Sequence, residues 1–150
     1  MVAVSEAQSS NRASWPSEVE VVAEHHTSSS SQMVGQRGTE LFLIRLHGAV
    51  DGDPGTTRCQ EALERLVGQG TAPQVFFDLR GFFRYETRVR AGYTAALRPH
   101  LGRLQSIWVV ADSKVVRMGA TVARLVLPVL EVVDPADFDD KLDAAIRDAT

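Results

Sequence analysis

Residues 74–79 read Gln-Val-Phe-Phe-Asp-Leu and close on Arg80-Gly81. Val75, Phe76 and Phe77 form an unbroken apolar row, as expected of a strand covered on both faces, and the glycine just beyond Leu79 ends it. Val89, Tyr93, Ala96, Leu97 and Leu101 then recur at helical spacing, and Pro99, which lacks an N–H donor, should bend or end that helix. The local unit is therefore a strand followed by a helix, and it repeats in both directions. Upstream, Leu41-Phe42-Leu43-Ile44-Arg45-Leu46 is a β-rich run closed by His47-Gly48. Turn chemistry follows at Asp51-Gly52-Asp53-Pro54-Gly55, with Thr56 or Thr57 as the expected N-cap. Cys59, Ala62, Leu63, Leu66 and Val67 trace one helical stripe, stopped by Gly68 and Gly70. Downstream, Ser106-Ile107-Trp108-Val109-Val110-Ala111 meets the capping pair Asp112-Ser113. A helix with Val115, Val116, Met118, Val122, Leu125 and Val126 on its apolar side comes next. Leu130 to Val133 is the last apolar run. Asp134-Pro135 starts a final helix striped by Phe138, Leu142, Ala145 and Ile146.

Four such units in succession predict an α/β fold: a single domain with a mainly parallel four-stranded sheet and right-handed crossovers. Glu18 to Glu24 partly alternates polar and apolar residues, which predicts an N-terminal edge strand guarded by glutamates. The Ser/Thr-rich stretch 27–38 reads as a flexible loop. Residues 1–17 read as a flexible tail with no packing stripe, ahead of a domain spanning 18–149.

One hundred and fifty residues are enough to bury one core without cross-links. Cys59 is the only cysteine, so an internal disulfide and a thiolate metal cluster are both ruled out, and its place on a helical stripe predicts a buried thiol. The first residues lack a charged start followed by an apolar core, and no apolar run approaches bilayer length, so a cytoplasmic protein without a membrane span is expected. The net charge is only −3 but is unevenly spread. From Arg80 to Arg124, nine basic residues stand against Glu86 and Asp112, a balance of about +7 that leaves about −10 elsewhere. The acidic remainder and the lack of strands mixing basic and aromatic residues argue against nucleic-acid binding.

No catalytic pattern emerges. His25, His26, His47 and His100 make no metal-ligand spacing, and neither a nucleophile elbow nor a glycine-rich phosphate loop is present, so a non-enzyme with no metal and no cofactor is expected. A phospho-accepting receiver built on Asp51, Asp53 and Asp78 would need a lysine after the last strand, where Asp134-Pro135 stands instead.

The stretch from Val75 to Thr87, VFFDLRGFFRYET, resembles the STAS domains, the SpoIIAA-like anti-sigma-factor antagonists, in which an apolar strand ends in Asp-Leu-Ser-Gly and Asp-Ser-Ser-Gly opens a helix. Asp78, Leu79 and Gly81 match, and Glu86-Thr87 falls where that family has an aspartate and its phosphorylatable serine. Arg88 and Val89 stand where serine and glycine would be. Tyr85-Glu86-Thr87 and Val109-Val110-Ala111-Asp112-Ser113 are also similar to the STAS/SEC14-type branch. The resemblance implies a SpoIIAA-like β/α superhelix acting as a regulatory module. It also implies a protein partner at Phe83, Arg84, Tyr85, Glu86, Thr87, Arg88 and Arg90, with Thr87 as a phospho-acceptor that the arginines would hold. Its SEC14-type side implies the alternative, a small apolar or lipid-like ligand, for which an enclosed cavity lined by Trp108, Met118 and Leu125 is the expected sign. An exposed Phe83–Tyr85 patch over a filled core would instead mark the protein partner.

Overall fold

The structure is a computed structural model that describes residues 15–149. Its strands are β1 (Glu20–His26), β2 (Ser30–Arg37), β3 (Leu41–Val50), β4 (Gln74–Leu79), β5 (Phe82–Tyr85), β6 (Ser106–Ala111) and β7 (Leu130–Val132). The helices are α1 (Pro54–Val67), α2 (Thr87–Leu97), α3 (Lys114–Ala123) and α4 (Pro135–Asp148), with a 3₁₀ turn at Arg98–His100 where Pro99 ends α2. The class is α/β, in one domain.

The sheet is not the expected four parallel strands with one edge strand. Seven strands form one mixed sheet in the order β1-β2-β3-β4-β6-β7, with β5 paired to β3. β1, β2 and β3 are joined by antiparallel hairpins, whereas β3, β4, β6 and β7 run parallel as neighbours. Two strands account for the difference. The serine-rich stretch expected to be a loop is β2, whose backbone is paired on one side by β1 and on the other by β3. Its local composition is overridden because Met33 and Val34 are fully buried, and Gln32 beside them is satisfied by bonds to Thr56 Oγ1 (2.8 Å) and from Tyr93 Oη (2.8 Å). The second is β5. After β4 pairs with Leu41–Arg45, the chain turns at Gly81 and β5 pairs with the far half of β3, Gly48 to Val50. Gly48 and Gly81 both have positive φ, 82° and 78°, and the Gly48 N–H donates to Gly81 O at 2.9 Å.

Alternation along each strand assigns the two faces. Phe42, Ile44, Val75, Phe77, Ile107 and Val109 join one core with the buried stripes of α1, α2 and α3. Leu41, Leu43, Phe76 and Val110 join a second with Phe138, Leu142, Ala145 and Ile146 of α4. Phe138 meets Phe76 edge-on at 5.6 Å. Both sheet faces are covered, which is why the strands read as continuous apolar runs. The helix starts are capped by Asp53, Ser113 and Asp134, which accept from Thr56, Val116 and Asp137 N–H groups. The first helix thus begins at Pro54, ahead of the expected threonine cap.

Residues 1–14 of the expected tail lie outside the described residues. Trp15, near its end, packs against the second core, donates from Nε1 to Val19 O at 2.8 Å and stacks under the Arg45 guanidinium at 5.4 Å.

Leu63 of α1 is fully buried while Leu125 beyond α3 is mostly exposed. Leu63→Ala is expected to cost about 2–5 kcal/mol by leaving a cavity, and Leu125→Ala to stay within about 0.5 kcal/mol. Chemical denaturation of the two variants checks this, and equal losses would mean the helix faces are misassigned.

Candidate functional site

The Gly81–Arg90 segment lies on the surface. Phe82 is buried and stacks on Tyr85 (5.3 Å, interplanar 24°), so the alternation of β5 turns Phe83 outward, 60% exposed. Arg84, Glu86, Thr87 and Arg88 are exposed, and Tyr85 and Arg90 are half-buried. Glu86, not Thr87, is the N-cap of α2, and its side chain makes no cap bond. The Gly52 N–H donates to its Oε1 at 2.7 Å and Arg88 pairs with it at 3.2 Å; the Gly52 bond first, then Arg88, hold its carboxyl below the usual range. Thr87 is the first helical residue. Of the three arginines expected around it, Arg88 is engaged by Glu86 and Arg90 is turned into a neighbouring groove, with its Nη1 donating to Tyr85 Oη at 3.4 Å. Arg84 alone among the three has neither an ion pair nor a side-chain hydrogen bond among the described residues.

That groove runs between α2 and α3 over the sheet, with a volume of about 80 Å³. Its floor comes from Phe77, Leu79 and Val109, and its sides from Val89, Tyr93 and Thr94 of α2 and Val116, Gly119, Ala120 and Ala123 of α3. Gly119 is required by close approach, since a Cβ there would run into the Tyr85 hydroxyl. Tyr93 Oη is spent on Gln32, and burial pushes that phenol well up. The ligand cavity expected around Trp108, Met118 and Leu125 does not form. Trp108 lies on the α4 face of the sheet under Lys141 (4.5 Å), and the other two side chains point to solvent.

The outward turn of those side chains is the feature the sequence reading missed. α3 buries Val116, Gly119, Ala120 and Ala123, and exposes Val115 (62%), Met118 (61%) and Val122 (49%), continued past its end by Leu125 (82%) and Val126 (41%). The expected stripe mixed both faces of an almost wholly apolar helix. The signal that separates them is size: the small residues Gly119 and Ala120 lie four and three positions before Ala123 and mark the side that must come close to the sheet.

Asp78, matched to the family's strand-end aspartate, is buried and holds two arginines. Arg45 donates from Nε (3.2 Å) and Nη2 (3.0 Å), and Arg80 from its backbone N–H (3.2 Å), Nε (3.0 Å) and Nη2 (3.0 Å). Arg80 also reaches Asp139 on α4 at 3.0 Å and lies over the Phe138 ring at 5.4 Å. Burial pushes the Asp78 carboxyl up, yet the bonds and charges of Arg80 and Arg45 outweigh it and the net shift is downward. Asp112, at the end of β6, accepts from the Gly81 N–H at 3.2 Å. These carboxylates fix the strand ends that carry the exposed turn.

No family model, curated protein or solved structure matches this chain. Among the described residues, no three or more His, Cys, Asp or Glu side chains form a group that could hold a metal ion, and no helix is long and apolar enough to cross a membrane. Cys59 is buried on α1, and burial pushes its thiol up to about 11, a poor nucleophile near neutral pH.

Because its folded-state pKa is depressed, Asp78 contributes stability that is complete above the unfolded value of 3.8 and fades as pH falls through the lower folded value. Asp78→Asn should cost about 3 kcal/mol or more at neutral pH by removing the buried carboxylate that pairs Arg45 and Arg80. The gap from wild type should narrow below the unfolded carboxyl value. Thermal melts across acid pH check this, and a pH-independent gap would contradict it.

Proposed function

We propose that this chain is a non-catalytic, STAS-like regulatory module that captures a protein partner on the face formed by the β5–α2 turn and α3. The observation that carries this is the run of exposed apolar side chains, Phe83 on β5 and Val115, Met118, Val122, Leu125 and Val126 on and after α3, beside an apolar groove. Several large apolar side chains exposed on one helix are characteristic of an interaction surface. Phe83, Arg84, Tyr85, Glu86, Thr87, Arg88 and Arg90 form its β5–α2 side. The parallel neighbours β3-β4-β6-β7, the Asp78-Leu79-Arg80-Gly81 strand end and the helix start at Glu86-Thr87 support a SpoIIAA-like β/α superhelix with right-handed crossovers. A cytoplasmic setting goes with this reading, as does the single buried thiol.

Thr87 is the regulatory position of this proposal. It is exposed at the first turn of α2, whose N-cap side chain leaves the first amides uncapped, and Arg84 is near in sequence to receive a phosphate. A phosphate there introduces up to two negative charges at the edge of the partner surface.

A second reading, an apolar ligand in the α2–α3 groove, is favoured by the lining, in which only Tyr85, Arg90, Tyr93 and Thr94 bring polar atoms. The volume weighs against it: about 80 Å³ is less than the roughly 150 Å³ that accommodates benzene in an engineered cavity.

Three baits test the first reading in quantitative affinity purification from the native cell: Thr87→Glu, Met118→Asp, and Asp140→Lys on the exposed side of α4. Partners retained by wild type and Asp140→Lys but depleted on the other two are expected. Equal recovery by all four proteins would overturn it. Native mass spectrometry of the purified chain decides the second reading, which requires a bound apolar mass that is lost when Ala120→Leu fills the groove.

A further inference from the structure

Resting on the partner face just described, we infer that the partner enters it as an acidic amphipathic helix, with its apolar side in the α2–α3 groove and its carboxylates against the basic rim. Shape is the first support. The groove is bounded by two helices and deepened by Gly119, Ala120 and Ala123, so the ridge of a third helix fits where a flat surface does not. Val115 and Val122 lie four residues before and three after Gly119, on the flank that meets Tyr85 and Arg90, so these exposed valines extend that side of α3 outward from the groove. Met118, Leu125 and Val126 widen the apolar strip beyond it.

Charge is the second. α2 and α3 carry Arg88, Arg90, Lys114 and Arg117 and not one acidic residue, and Arg98 and Arg124 follow directly at their ends. The two acids of the Arg80–Arg124 segment are occupied, Glu86 by the Gly52 N–H and Arg88, and Asp112 by the Gly81 N–H. An approaching carboxylate therefore meets no like charge on these helices, which favours both its encounter and its selection.

Two other occupants fit less well. A second copy packed on the same face would set arginine against arginine across the symmetry axis. Nor can a copy offer α4, whose Asp137, Asp139, Asp140, Asp143 and Asp148 are acidic, because the apolar stripe of α4 is already buried on its own sheet. An anionic bilayer would neutralise the rim, but its flat surface leaves the recessed floor uncovered.

The test pans the full-length chain against two displayed libraries. One holds peptides of about 18 residues, long enough for a helix in water, with apolar residues fixed along one face and Asp, Glu, Lys, Arg or Gln randomised along the other. The second holds small folded scaffolds with randomised non-helical loops. Enrichment of Asp and Glu in the helical library is expected, with binding that weakens as salt rises. Met118→Asp and Val122→Asp should each reduce affinity about tenfold or more, as loss of an anchor does. Arg90→Glu with Arg98→Glu should move the enrichment toward Lys and Arg. Met118, Val122 and Arg98 are solvent-facing, so thermal melts of the two aspartate variants are expected to match wild type. Arg98→Glu alone replaces the double variant if loss of the half-buried Arg90 lowers its melt, and Leu125→Asp replaces an aspartate variant that melts early.

Helical binders with no acidic bias, or acidic binders indifferent to Met118→Asp, would overturn the inference. Loop binders lost on Met118→Asp in the absence of such helices would overturn it while leaving the partner face standing. If neither library yields a Met118-dependent binder, both fall. Met118-dependent sedimentation with phosphatidylglycerol–phosphatidylcholine vesicles, or a Met118-dependent dimer in sedimentation velocity, would assign the face to lipid or to a second copy instead.

Discussion

The central parallel strands β3, β4 and β6 are buried on both faces, and the rest of the structure follows from how the chain meets that demand. Phe42, Phe76 and Ile107 sit on adjacent strands with essentially no exposed surface. Leaving either face open would return such side chains to water at a cost of about 1.5–3 kcal/mol each. Three helices share one face and α4 covers the other, together with Trp15 and Val19. Two buried polar clusters are bonded within the fold. One is Asp78 with its two arginines, and the second is the Tyr93–Gln32–Thr56 chain under α1 and α2.

This arrangement also creates the exposed surface. The first core is shared by α1, α2 and α3, and the last of these seats itself with its smallest residues, Gly119, Ala120 and Ala123, toward the sheet. A low seat brings the α3 backbone close to Tyr85 and leaves the larger side chains of an apolar helix with nothing of this chain to cover them. β5 adds Phe83 by the same logic, since pairing with β3 buries Phe82 and the two-residue period turns its neighbour outward. The patch is therefore a consequence of packing geometry, and the absence of acidic residues from α2 and α3 gives it its charge character.

The rigid support of the turn comes from carboxylates that do no chemistry of their own. Asp78 ties β4 to β3 through Arg45 and to α4 through Arg80 and Asp139, while Asp112 holds the Gly81 N–H at the start of β5. An aspartate at the end of a central strand invites a catalytic or phospho-accepting reading. Here its lone pairs are taken up by guanidinium and amide donors, and its role is to position the exposed segment that follows.

The sequence by itself determined the α/β class, the four strand-then-helix units, the stripes of α1, α2 and α4 and the burial of Cys59. All of these are set by residues within one or two turns of each other, where periodicity and capping act. The Ser30–Arg37 strand, the β5 pairing and the outward face of α3 were decided only in the tertiary structure. Residues Ser-Ser-Gln-Met have no strong strand preference until β1 and β3 supply partners on both sides. A four-residue Phe-Phe-Arg-Tyr segment is a strand only because Gly81 turns it alongside Gly48 to Val50. An apolar helix does not declare which of its sides is covered, because that depends on how near the sheet and Tyr85 allow it to lie, a distance fixed by contacts between residues far apart in the chain.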